Sequence, residues 1–196
     1  MRLFVAIDPP AEPLAQLEAA VAPLRPAWPD LRWASRDRWH VTLAFLGEVD
    51  PARLDRLARA VERAARRHPA MTLVIGHAGA FPSPHRAQVL WVRVEGDERA
   101  QAGLRALAAS VAAGARRAGV PPPDEGRRFR PHVTLARSRR PADLGPLVAE
   151  LSGLRTSAWD AGAIRLIRSQ AGPEPRYEAL GTWPLRGRGP LPAEGA

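Results

Sequence analysis

The sequence predicts an α+β protein with two similar lobes facing each other across a cleft, and three observations carry that prediction. The pentapeptide His40-Val41-Thr42-Leu43-Ala44 returns as His132-Val133-Thr134-Leu135-Ala136. Each copy lies in a strand-like run followed by a turn and a helix-like stretch, which suggests an internal pseudo-repeat. Short apolar runs alternate with segments of helical period along the whole chain. The repeat is informative because it uses scarce residues: the chain has five His and five Thr, and two of each fall in the two copies. The alternation also permits a doubly wound parallel sheet. No Gly-rich phosphate loop follows any strand, which argues against the nucleotide-binding form of that fold.

Taken in order, Leu3 to Ile7 reads as a buried first strand. Asp8, ahead of Pro9 and Pro10, has the position of an N-cap for a helix carrying Leu14, Leu17 and Val21 on one face. Pro23, Pro26 and Pro29 break the chain, and Leu31 to Ala34 forms a short strand before the polar turn Ser35 to Arg38. The first motif strand runs from Trp39 to Leu46 and is closed by Gly47. Asp50-Pro51 starts a helix with Leu54, Leu57, Ala58 and Val61 inward, ending near His68-Pro69. Met71 to Ile75 and Val89 to Val94 are strands on either side of the Pro-rich loop Phe81 to Pro84. Asp97 caps a helix with the stripe Leu104, Leu107, Ala108 and Val111, ending near Gly119. A loop, Pro121 to Gly126, leads into the second motif strand; a short helix follows around Leu144 to Leu151. Trp159 to Arg168 and Tyr177 to Leu185 are the last strands. Residues 1–185 thus form one bilobal domain, and the Gly, Pro and Arg of 186–196 predict a disordered tail.

Composition narrows the function classes. The formal charge is +9 and is carried by Arg, since Lys is absent. Two readings stand side by side: a GC-rich coding bias, and an Arg-lined surface for phosphate or nucleic acid. With no Cys, disulfides, thiol catalysis and Cys-ligated zinc are excluded. The apolar run at the N-terminus is too short for a signal peptide and none approaches membrane-spanning length. A cytoplasmic monomer without membrane association is expected.

Residues two apart on a strand share a face. His40 and Thr42 therefore point one way with Val41 and Leu43 in the core, and His132 and Thr134 repeat the arrangement. Ala44 and Ala136, next along that face, would leave room for a ligand. Two imidazoles across one cleft suit proton transfer near neutral pH, one taking a proton from water and the other giving one to a departing oxygen. Two hydroxyls beside them can hold non-bridging phosphoryl oxygens. Arg137 offers positive charge to a transition state, and Phe45, in the matching place after the first motif, a ring for a base. Both lie five residues beyond their His, so strict alternation turns them away; they reach the site only if the strand ends or bulges there.

Paired His-x-Thr-x motifs resemble the two-histidine phosphoesterase superfamily. The string His40 to Gly47 and the string Phe129 to Arg137 are similar to the RNA 2′,3′-cyclic phosphodiesterases, once called 2′-5′ RNA ligases. Met1 to Ile7 and Val89 to Val92 share the resemblance, which runs to about Leu185. It implies a bilobal α+β fold with antiparallel-rich sheets flanking a central cleft, no metal and no cofactor. The implied substrate is RNA with a 2′,3′-cyclic phosphate end, tRNA fragments included, or a cyclic nucleotide, opened to a 2′-phosphate; reversible 2′-5′ joining is a further reaction of the family. The resemblance makes His40 the general acid and His132 the general base, with Thr42 and Thr134 on the phosphate and Phe45 and Arg137 at the nucleotide. On sequence alone the two near-symmetric half-sites leave the acid and base assignment open.

Other residues carry weaker signals. Arg130 stands with Arg36, Arg38, Arg127 and Arg128 just ahead of the motifs, where Arg would rim the cleft or simply face solvent. His68 meets a helix C-terminus, and His77 and His85 flank the Pro-rich loop as solvated residues. No His-Glu-x-x-His spacing supports a metal site. Trp33, Trp39 and Trp91 are expected in the core. The alternatives to the RNA enzyme are the same site acting on another cyclic phosphate or an RNA 3′ tail, and a non-catalytic RNA-binding module.

Overall fold

The computed structural model describes residues 1–123, 128–170 and 176–187. Its first strand β1 (Arg2–Ile7) has both faces covered, so all but Arg2 is buried. Helix α1 (Ala11–Val21) buries Pro13, Leu17 and Val21, and its N-cap is Pro10. Asp8 is therefore not the cap, and its carboxylate goes elsewhere. The Pro-rich stretch that follows is a 3₁₀ helix, Ala22–Ala27, because fixed φ at Pro suits a tight helical turn. A two-residue strand, β2 (Arg32–Trp33), and a 3₁₀ turn, Arg36–Arg38, lead to β3 (Val41–Glu48). Gly47, at φ +65, lies within β3 rather than ending it.

Asp50 caps a 3₁₀ turn by accepting from the Ala52 N–H at 2.9 Å, and α2 (Leu54–Arg67) follows. Strands β4 (Met71–Phe81) and β5 (Ala87–Glu95) form a hairpin, so β4 runs well past the Ile75 end expected from sequence. Asp97 caps α3 (Glu98–Arg117) through the Ala100 N–H at 2.7 Å, and the predicted stripe is buried. Then come β6 (His132–Ala142) and α4 (Gly145–Glu150). The expected strand Trp159 to Arg168 is two strands, β7 (Trp159–Ala161) and β8 (Ala163–Gln170), and β9 (Arg176–Pro184) closes the order.

Every strand pair among the described residues is antiparallel, which excludes the doubly wound parallel alternative. The order is β7-β4-β5-β6-β3-β1-β8-β9, with β2 on β6. The long run splits at Gly162 because its parts serve opposite ends of this order: β7 pairs with β4 and β8 with β1. The two halves meet at β3 and β6, whose register has a single pair, Val41↔Val133. Beyond it β6 pairs with β2 instead, Arg32↔Arg137 and Trp33↔Ala136. The halves thus part at the place where the repeated motifs touch.

One continuous core backs both halves, with Leu57 and Val61 of α2 and Leu104, Leu107 and Val111 of α3 at no more than 1% exposure. A small separate cluster, Phe4, Ala6 and Ile167, lies on the other face of the first half. Trp39 is buried as expected, Trp33 is half-buried and donates to the Trp28 carbonyl, and Trp91 belongs to the site described below. No helix among the described residues is long and apolar enough to cross a membrane. The expectation for the tail falls mostly on residues 188–196, and that for Arg127 on 124–127, outside the described residues.

Candidate active site

The Val41↔Val133 pair determines the geometry of the site. Directly opposed residues on neighbouring strands share a face. One step to either side of that antiparallel pair, His40 lies opposite Thr134 and Thr42 opposite His132. Val41 and Val133 are fully buried on the core side, so the two imidazoles and two hydroxyls share the outer face of the junction. The proximity is also electrostatic: a protonated His132 would act on His40, as Arg137 acts on both.

Both strands carry a β-bulge at the same place in the motif. In β3 the register against β1 goes from Ala6↔Thr42 to Val5↔Ala44, leaving Leu43 as the extra residue. In β6 the register against β5 goes from Trp91↔Thr134 to Leu90↔Ala136, leaving Leu135 extra. Leu43-Ala44 and Leu135-Ala136 are consequently all buried in the main core. This corrects the expectation that Ala44 and Ala136 line the ligand face. After the bulge the alternation is reversed, and Phe45 and Arg137 return to the side of Thr42 and Thr134. Phe45 pairs with Phe4, and Arg137 with Val89 and with Arg32 of β2. Phe45 is 42% exposed and tilted against Phe4, and Tyr177, 38% exposed, stands edge-on to His40.

Each imidazole rests on aromatic rings. His40 stacks on Phe4 with centroids 4.7 Å apart, and the edge of Tyr177 is 5.5 Å away. His132 meets Phe81 at 5.3 Å and Trp91 at 5.9 Å, both edge-on. Gly79 makes room for Trp91, since a Cβ there would lie 2.3 Å from the indole ring. Arg130 lies over the Phe81 ring, 6.0 Å from its centroid. The seven residues singled out from sequence therefore gather at one junction. Phe4, Phe81, Trp91 and Tyr177 join them, and sequence reasoning had placed these in strands, core or a loop.

The imidazole orientations are fixed from behind. His132 Nδ1 donates to the Arg130 carbonyl at 2.7 Å, which leaves Nε2 as the nitrogen free to take a proton. His40 makes the corresponding bond to the Arg38 backbone. Burial pushes the His40 pKa down to about 4, against the opposing pull of Asp8 and the Arg38 bond. Burial lowers that of His132 as well, against its bond to Arg130. Burial thus favours the neutral form of both imidazoles in the free protein. An anion between them would favour protonation of one, because a neighbouring negative charge stabilises the imidazolium.

Other candidates lie elsewhere. His77, at φ 48 in a bulge of β4, faces Glu95 with Nδ1 3.2 Å from the carboxylate, and His85 faces Asp143 at 3.3 Å. His68 is the C-cap residue of α2 and reaches α3, its Nε2 2.8 Å from Ser110 Oγ, and burial lowers its pKa. Arg36 donates to the Ala11 carbonyl and Arg38 to Ser35 Oγ, while Arg128 is exposed. Among the described residues, no three His, Asp or Glu side chains gather as a metal-ligand set.

Comparison with known proteins converges on one family. A model of the 2′-5′ RNA ligase superfamily matches residues 9–173. An RNA 2′,3′-cyclic phosphodiesterase of Thermus thermophilus is 32% identical over 95% of this chain and 91% of its own. A crystal structure of a Thermus thermophilus protein matches with TM-score 0.77 at 28% identity, covering 95% of this chain and 99% of that one. Escherichia coli LigT complexed with 3′-AMP matches with TM-score 0.71 at 30% identity, covering 94% and 96%.

Proposed function

The chain belongs to the 2′-5′ RNA ligase superfamily, and on that premise we propose that it hydrolyses 2′,3′-cyclic phosphate ends of RNA to 2′-phosphates, with residues 1–185 as the catalytic unit. The observation that carries this reading is the shared face of His40, Thr42, His132 and Thr134 at the one pair joining the two halves. Water attacks phosphorus and gives its proton to Nε2 of His132 while the bond to the 3′ oxygen breaks. That oxygen leaves with a proton from His40. Thr42 and Thr134 donate to the non-bridging oxygens and Arg137 balances their growing charge, so catalysis is mostly positioning and charge stabilisation. Phe45 and Tyr177 offer faces to the nucleobase, and Arg130 stands at the rim for the RNA backbone. Both half-sites come from one chain, so a monomer is sufficient, and no metal or cofactor enters the scheme.

The test is hydrolysis of 2′,3′-cyclic nucleotides and of a short RNA ending in a cyclic phosphate, with EDTA present and the product phosphate identified. The expected result is a 2′-phosphate formed at the same rate with and without EDTA. An RNA that binds and keeps its cyclic phosphate would overturn the reading in favour of a binding module. Activity on the nucleotides alone would reassign the substrate to small cyclic phosphates.

A further inference from the structure

The two half-sites share a backbone plan but differ in charge at one matching position. In the second half, the β5 residue paired with His132 is Arg93. In the first half the register of β1 against β3 ends at Ile7↔Val41, and one step further Asp8 stands opposite His40. The sites correspond because Ala6 pairs with Thr42 as Trp91 pairs with Thr134. The matching position therefore holds Asp in one half and Arg in the other, and the Asp8 carboxylate acts on His40, while the charge that acts on His132 is that of Arg137.

Asp8 is also held in place. Its carboxylate is ion-paired with Arg165, which β8 brings opposite Ala6. Asp8, Asp37, Arg165 and Tyr177 line a small cavity that opens on His40. From the turn before the strand, Arg38 binds His40 through its backbone; from β6, His132 and Arg137 face it with charge that disfavours its protonation. Asp8 is the largest influence in the opposite direction, and burial is the larger force it works against.

We propose that Asp8, oriented by Arg165, is a positioning residue that breaks the symmetry of the site: it opposes the burial of His40, so that once the phosphate anion is bound the catalytic proton goes to His40, leaving His132 as the neutral base. This rests on the hydrolytic reading above and adds what repeated motifs alone leave open. The carboxylate forms no bond to substrate. It stabilises the imidazolium of His40 before the P–O bond breaks, and that proton then goes to the 3′ oxygen while His132 takes one from water. Exchange with solvent afterwards resets both rings.

The experiment compares two cyclic nucleotides, the natural one and an analogue with sulfur in place of the 3′ bridging oxygen. A thiolate leaves without being protonated, so the analogue does not need the acid. On the natural substrate, Asp8→Asn is expected to lower kcat by roughly tenfold for each unit by which the His40 pKa falls, with KM little changed. The limb of the pH profile governed by His40 moves to lower pH and the other limb stays. On the sulfur substrate the Asp8→Asn and His40→Ala proteins regain most of the parent rate and His132→Ala does not. Asp8→Glu, which keeps the charge, stays within about threefold of the parent. Equal losses on both substrates, an unmoved pH profile, or sulfur rescue of His132→Ala instead would overturn the role of Asp8. A parent inert toward both substrates would overturn the hydrolytic reading itself.

Discussion

The half of the site around His40 and the half around His132 have the same frame and different fillings. Each has a motif strand with a bulge at its Leu, a neighbouring strand supplying the residue opposite Thr, and an imidazole tied to the backbone two residues earlier. Opposite Thr42 stands Ala6, with Arg165 beyond it on β8; opposite Thr134 stands Trp91, with Gly79 beyond it on β4. After the bulge the first half presents Phe45 and the second Arg137. The difference teaches which features register can dictate. Strand pairing and bulges determine where the His and Thr atoms sit, and they do so twice. Charge and stacking come from residues outside the repeat, and there the halves diverge.

The largest effects should come from what is shared. His40→Ala and His132→Ala are each expected to cut kcat by about 10²- to 10⁴-fold. The losses should fail to multiply in the double variant, because the two groups act in one proton-transfer scheme. Multiplying losses in single-turnover kinetics would mean independent roles. Next, Thr42→Val and Thr134→Val remove one phosphate donor each, for about 10- to 100-fold in kcat/KM. A loss confined to one of them would break the picture of a two-sided clamp.

Gly79→Ala probes the aromatic support of His132. The added Cβ would meet the Trp91 ring at 2.3 Å, so the indole must shift, at a cost of about 1–3 kcal/mol in denaturant melts. His132 loses its aromatic support while His40 keeps its own, so the His132 limb of the pH profile should move and the other stay.

The smallest effect at neutral pH concerns stability. His40 has a folded pKa of about 4 against an ordinary value of 6.5. An unfolded chain therefore binds a proton that the folded one refuses between those values. The resulting stability is present in full above pH 6.5 and is lost as the pH falls toward 4. Thermal melts should show this decline, and His40→Gln should flatten it; an equally steep decline in the variant would assign it to other groups.

Much of the fold was legible because it is governed locally. Asp50 and Asp97 mark helix starts through side-chain bonds that reach two or three residues along the chain, and the stripe on α3 follows from period alone. Local chemistry misled at Asp8, whose place before two prolines reads as a cap but whose partner is Arg165, on a strand from the far end of the chain. It misled again at Trp159 to Arg168, where one apolar run serves two strands on opposite sides of the sheet. Trp91 and Phe81 read as core and loop, because an aromatic ring buried in a core and one supporting an imidazole have the same sequence signature.

By itself the sequence determined the capped starts at Asp50 and Asp97, the apolar faces of the helices and the two His-x-Thr pairs, since each depends on residues within one turn or one strand. Only the tertiary structure decided that Val41 meets Val133, that Leu43 and Leu135 bulge and bring Phe45 and Arg137 to the site, and that the Asp8 carboxylate attends His40. Those outcomes depend on which strands pair and in what register, and that is settled by packing both halves onto one core rather than by any single stretch of chain.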